Sequence, residues 1–177
     1  FTGAAPAREG ILADTETGAL LVRGTVSLRA ARGGSGKTRL LCELAAVVAT
    51  GRSANTPDWV LEATAEWLPG LQLNASMRNT GAPVLFVLGE ESRDEIHRIV
   101  ERLRQRWPAQ RLEHLHFASL VGTPGWPLTG GDTFSAQHAA LCRAIERTGA
   151  ALVILHPLVS FNTGDENSNV DAQRTIE

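Results

Sequence analysis

Ala31-Arg32-Gly33-Gly34-Ser35-Gly36-Lys37-Thr38 decides how the rest of this chain is read. Glycines at 33, 34 and 36 allow the backbone to curve so that successive N–H groups turn inward around a multivalent anion. A helix opening at Lys37-Thr38 would add its positive end to that cradle. Lys37 is long enough to reach the terminal phosphates of a nucleotide, and the Thr38 hydroxyl is a Mg²⁺ ligand of the right kind. Alanine at 31 replaces the glycine that usually begins such a loop. The expected nucleotide-contacting set is Ala31, Arg32, Gly33, Gly34, Ser35, Gly36, Lys37, Thr38 and Arg39, with ATP and Mg²⁺ as the ligands.

The loop needs a strand before it and a helix after it, and the neighbouring sequence offers both. Thr25–Ala30 alternates, with Val26, Leu28 and Ala30 on one face. Thr38–Thr50 places Leu40, Leu41, Leu44, Ala45, Val47 and Val48 at helical spacing. The lysine itself stands out. Of 17 basic residues, 16 are arginine and Lys37 is the one lysine, in a chain with no tyrosine. An arginine-rich composition of that kind follows GC-rich coding. A compact ammonium on a flexible stem meets a phosphate in a way that a broad planar guanidinium does not.

Farther out, helical and extended patterns alternate. Ile11–Ala13 and Ala19–Val22 read as hairpin arms within an irregular lead-in. Thr56-Pro57-Asp58 starts a helix that runs to Leu68, and 70–82 reads as a surface connection. Pro83–Leu88 is an apolar run of the kind found in a parallel strand buried on both faces. Arg93–Trp107 is an amphipathic helix, Leu112–Phe117 a third strand, Val121–Thr133 a long loop and Ser135–Arg147 a helix. Ala150–Leu155 is a fourth strand, followed by a loop over 156–168 and a last helix from about Asn169. The fold class is therefore α/β, a mainly parallel central sheet flanked by helices. Residues 1–23 are the lead-in and 24–177 the nucleotide-binding domain, read as incomplete at its C-terminal end.

In such sheets ligands sit beyond the carboxyl ends of the strands, so the segments after 30, 88 and 155 should carry the chemistry. Gly89-Glu90-Glu91-Ser92 follows one strand. A glutamate there can act as a general base on water, or simply sit at the start of the Arg93 helix, stabilised by its dipole. A phosphate-loop enzyme should end its fourth strand in an aspartate that helps to hold Mg²⁺. This chain has His156-Pro157 instead. Imidazole is a poor Mg²⁺ partner, which leaves His156 to accept a hydrogen bond from metal-bound water or to weaken metal binding. Asp165 and Glu166 lie in the loop that follows.

Bulk properties exclude several classes. At 43% hydrophobic and 20% charged the chain is globular, and its apolar runs are too short to cross a bilayer. A net charge of −2 gives no bulk attraction to nucleic acid. Cys42 and Cys142 read as free thiols in a reduced compartment, by default the cytoplasm.

Four blocks together resemble RecA-fold P-loop ATPases, and within them the RepA-like hexameric replicative helicases. They are Gly24-Thr-Val-Ser-Leu28 with Gly33–Thr38, Val84–Ser92 followed by Glu95–Arg98, Leu152–Leu158, and Phe161 with Gly164–Ser168. The resemblance spans about residues 24–177 and implies a RecA-like ATP-binding domain of a DNA helicase or DNA-dependent ATPase. It implies Glu90 as the catalytic base beside Lys37, a homo-oligomeric ring and single-stranded DNA as partner. Family members carry aspartate at the position of His156. That departure leaves open a regulatory module that binds nucleotide without turning it over efficiently, or a recombinase-like ATPase on the same fold.

Other signals have plainer readings. Arg98, Arg102, Arg104, Arg106 and Arg111 read as a solvated helix face before a DNA-binding patch. Trp59, Trp67 and Trp107 read as core, and Trp126, in its Gly/Pro-rich loop, as a contact surface. His114 and His116 read as structural.

Overall fold

The computed structural model describes residues 10–14, 18–22, 24–27, 34–51, 71–73, 80–107, 109–123, 126–130 and 133–161. In chain order these form β1 (Gly10–Asp14), β2 (Gly18–Val22), α1 (Lys37–Thr50), β3 (Leu71–Leu73), β4 (Val84–Leu88), α2 (Arg93–Arg104), β5 (Leu115–Ser119), β6 (Thr129–Gly130), β7 (Thr133–Phe134), α3 (Ala136–Thr148) and β8 (Leu152–His156). Single 3-10 turns cover Ala109–His114 and Leu158–Phe161.

The central sheet has the order β5-β4-β8, with β4 parallel to both neighbours. Every residue of β4 is buried. Its side chains alternate between two cores, as the period of a strand requires. Val84, Phe86 and Leu88 pack with α1 and α2 residues such as Ala45, Val48, Ile99 and Leu103. Leu85 and Val87 pack with Leu141 of α3 and with Phe161. Helices thus cover both faces, and a strand with no solvent-facing side reads as an unbroken apolar run. The register aligns Leu88 with Ser119 on one side and with His156 on the other. All three strands end at one level, which sets the carboxyl edge of the sheet.

The helices start and stop for local reasons. Ser92 accepts a hydrogen bond from the Glu95 N–H, and Asp94 and Glu95 occupy the positive first turn of α2. Ser135 does the same for α3 through the His138 N–H, and Gly149 ends that helix at φ 63°. In α1 the buried Thr50 hydroxyl donates to the Ala46 carbonyl, so its burial leaves no unmet donor.

Several expectations shift. Residues 25–27 run as exposed irregular chain, with Val26 70% exposed, and the Thr25 backbone N–H and hydroxyl both turn back to the Val22 carbonyl. The strand expected over 25–30 therefore does not begin at Thr25, and 28–30 lie outside the described residues. The hairpin arms do form, as β1 and β2, and β1 pairs on its other side with β3, inside the stretch expected to be a plain connection. Ile11 of β1 joins the main core. The third strand begins at Leu115, because 109–114 close into a 3-10 turn first. The stretch expected to be a loop over 121–133 holds β6 and the first residue of β7, which pair with each other. Helices expected over 56–68 and from 169 lie outside the described residues.

Trp126 is half-buried against the core beneath α3 rather than presented as a contact surface. Trp107 is buried, and its indole N–H donates to Glu43, whose other oxygen accepts from Arg106. Arg98 and Arg102 both pair with Glu95, and Arg104 pairs with Glu101. Four of the five arginines thus face carboxylates of their own chain, as on a solvated helix face, where such pairs contribute little to stability. Arg111 has no described side chain.

Candidate nucleotide-binding site

The phosphate-loop segment reaches the sheet edge through the first turn of α1. Gly34 and Gly36 take positive φ values of 73° and 82°. A side chain is strained in that region, so the loop's curvature requires glycine at both places. Gly36 is the N-cap of α1 and offers no side chain to the helix, and the first turn holds no acidic residue. Where Ser92 and Ser135 cap the other two described helices with a side chain, α1 begins at a glycine, and a helix start of that kind suits an anion. Gly34, Ser35, Gly36 and Arg39 are exposed, while Lys37 and Thr38 are half-buried at the first turn. Ala31, Arg32 and Gly33 lie outside the described residues, as do Asp165 and Glu166.

Thr38 meets the end of β8 directly. Its Oγ1 lies 2.9 Å from His156 Nε2, and which atom donates follows from the imidazole tautomer. His156 is held in turn by its main chain, since its carbonyl accepts the Gly89 N–H at 2.8 Å across to the end of β4. The His156–Pro157 peptide is cis. Gly89 is pressed against the 3-10 turn after β8, and a Cβ there would run into the Ser160 side chain. The carboxyl ends of β4 and β8 and the start of α1 are therefore locked together by named contacts.

The two glutamates after β4 part company. Glu90 is exposed, two residues beyond the end of β4. Glu91 turns inward, with Oε2 enclosed and without a hydrogen-bond partner, while its carbonyl accepts from Ser119 Oγ at the end of β5. Nothing in the local sequence marks Ser119. Its only signal was its level with Leu88 and His156, which depends on the strand register.

Glu91 lies close enough to influence Cys42, one turn beyond Thr38 on α1. Burial first, then the negative charges of Glu91 and Glu43, push the Cys42 thiol up to about 12 from 9.0, against the opposing pull of Arg102. An acid whose pKa is raised on folding contributes stability that is complete below its unfolded value and fades as pH rises through the folded one. Denaturant midpoints should therefore fall between pH 9 and 12, and Cys42→Ala should lack that part of the slope. A maleimide should leave Cys42 unmodified in the native state and react with it on unfolding.

The edge suits a polyphosphate: the positive end of α1, two positive-φ glycines and Lys37 lie there. It suits Mg²⁺ less well. The donors at the Thr38 position are one hydroxyl and one imidazole nitrogen, whereas Mg²⁺ selects oxygen. The AAA domain family's model matches residues 6–177. The chain belongs to the AAA domain family. No curated protein and no solved structure matches it. As an AAA domain it is a P-loop, ATPase-type nucleotide-binding unit with the mixed α/β architecture described above. Among the described residues no helix of this AAA domain is long and apolar enough to cross a membrane.

Proposed function

We propose that this AAA domain binds and hydrolyses ATP as the motor core of a RepA-type DNA helicase or a related DNA-dependent ATPase. The observation that carries the hydrolytic part is the convergence at one sheet edge of the α1 N-terminus, the β8 end and the exposed Glu90. In this reading the 31–39 backbone and Lys37 grip the phosphates, and Thr38 and His156 face the cation side. Glu90 Oε atoms take the proton of the attacking water, so that hydroxide character develops at the terminal phosphate. The DNA part is supported by the sequence blocks around Gly89-Glu90-Glu91-Ser92 and Phe161-Asn162-Thr163-Gly164, and so are a hexameric ring and a cytoplasmic setting. The domain span of 24–177 belongs to the same reading.

A second reading has its own observation in support. The Thr38 hydroxyl is engaged by His156 instead of facing a carboxylate. A domain built that way binds ATP to control assembly and hydrolyses it slowly. Steady-state ATP turnover with a divalent cation, with and without single-stranded DNA, separates the two. The motor reading expects turnover that rises several-fold with DNA. The regulatory reading expects tight ATP binding, negligible turnover in the wild type and a gain in His156→Asp. A wild type that does not bind ATP at all sinks both.

A further inference from the structure

We propose that this site takes its nucleotide as a complex with a late first-row divalent cation of the Co²⁺, Ni²⁺ or Zn²⁺ kind in preference to Mg²⁺, with His156 Nε2 and Thr38 Oγ1 as neighbouring protein ligands. This rests on the nucleotide-binding reading above and adds the chemical identity of the substrate complex.

The geometry points to it first. Bonds of about 2.1 Å at right angles put two cis donors of an octahedral ion about 3.0 Å apart. Thr38 Oγ1 and His156 Nε2 are already 2.9 Å apart. Without a cation a hydrogen bond holds them at that spacing, and with one the same spacing becomes the edge of a coordination polyhedron. Ligation turns both groups from each other toward the ion while keeping the spacing between them. His156 is the last residue of β8, its carbonyl is fixed by the Gly89 N–H, and its ring is half-buried. The imidazole is thereby presented to the hydroxyl from a rigid strand.

The donor chemistry then selects the ion. Mg²⁺ sheds water reluctantly and gains little from nitrogen, whereas imidazole is a favoured ligand of late first-row ions. Among the described residues no group of three His, Cys, Asp or Glu side chains is placed to hold a metal. Two protein donors cannot complete a coordination shell. The remaining positions fall to phosphate oxygens and water, so the cation arrives with the nucleotide and is not held in its absence.

The test uses the full chain with a non-hydrolysable ATP analogue and Co²⁺. Proton NMR should reveal one strongly shifted, exchangeable imidazole N–H, that of Nδ1, which appears only when analogue and Co²⁺ are both present and is missing in His156→Asp. In equilibrium competition, the preference of the analogue-bound protein for Co²⁺ over Mg²⁺ should drop at least about tenfold in His156→Asp. Should that variant fail to fold, the nucleotide-dependent imidazole signal of the wild type still decides. A wild type that binds the analogue with Co²⁺ yet shows no shifted imidazole proton overturns the proposal while leaving nucleotide binding intact. So does a cation preference that His156→Asp leaves unchanged. Failure to bind the analogue with any cation overturns the nucleotide reading itself, and this proposal with it.

Discussion

Glu90→Gln should bind ATP as tightly as the wild type and turn it over on the order of 10²–10⁴-fold more slowly, the usual contribution of a positioned general base. The amide keeps the size of the side chain and removes its capacity to take a proton. Position 90 is exposed, so the substitution disturbs no packed contact. Surface changes of that kind shift stability within about 0.5 kcal/mol. Glu91→Gln is the matched control. Its carboxylate is turned inward, with Oε2 enclosed, toward the surroundings of Cys42. It should leave turnover within a few-fold and instead bring the Cys42 thiol down, since one of the two negative charges that raise it is gone. Single-turnover hydrolysis alongside equilibrium nucleotide binding separates the chemical step from affinity. If Glu91→Gln loses hydrolysis while Glu90→Gln keeps it, the base has been assigned to the wrong carboxylate.

What the sequence made legible here was local in origin. Glycines before Lys37-Thr38 place a helix start to within one residue of the observed one, because the same backbone features that bind phosphate also open α1. The Val84–Leu88 run is unmistakable since a strand buried on both faces has no polar positions to blur it. The less legible parts depend on partners far along the chain. β3 is three residues long, too short for any period, and exists through pairing with β1, some 60 residues earlier by its numbering. The onset of β5 at Leu115 reflects a 3-10 turn that simple alternation does not reveal. Trp126 sits in a loop rich in glycine and proline, and it packs against a cluster assembled from distant parts of the chain, Leu85 and Val87 of β4, Leu141 of α3 and Phe161. The candidate site divides the same way. Histidine at the end of β8 was visible as a departure from aspartate. Its contact with Thr38 spans 118 positions and depends on the β4–β8 register and on where α1 starts.

That dependence makes the centre of the sheet the place where function and stability meet. Phe86→Ala should destabilise the domain by about 3–5 kcal/mol, the range for emptying an aromatic site in a packed core. Phe86 is 0% exposed at the middle of β4, level with Phe117 on β5 and Ile154 on β8. Its ring stacks on Phe117 with centroids 5.7 Å apart. Truncation removes the ring's buried area and leaves a cavity bounded by two neighbouring strands and the α1 face, none of which can collapse without shifting the others. For a domain of this size each kcal/mol moves Tm by roughly 2–4 °C, so the midpoint should fall by roughly 6–20 °C. Against a total stability of about 5–15 kcal/mol, such a loss leaves little margin at physiological temperature. Phe134→Ala provides the contrast within one residue type. Phe134 is 70% exposed and, among the described residues, stacks on His138 of α3, so its loss should cost about 1 kcal/mol. Equal Tm shifts for the two variants would contradict the double-sided burial of β4. Because Leu88, at the far end of the same strand, sets the level of His156, residual ATP binding in Phe86→Ala should weaken along with stability. In Phe134→Ala it should not.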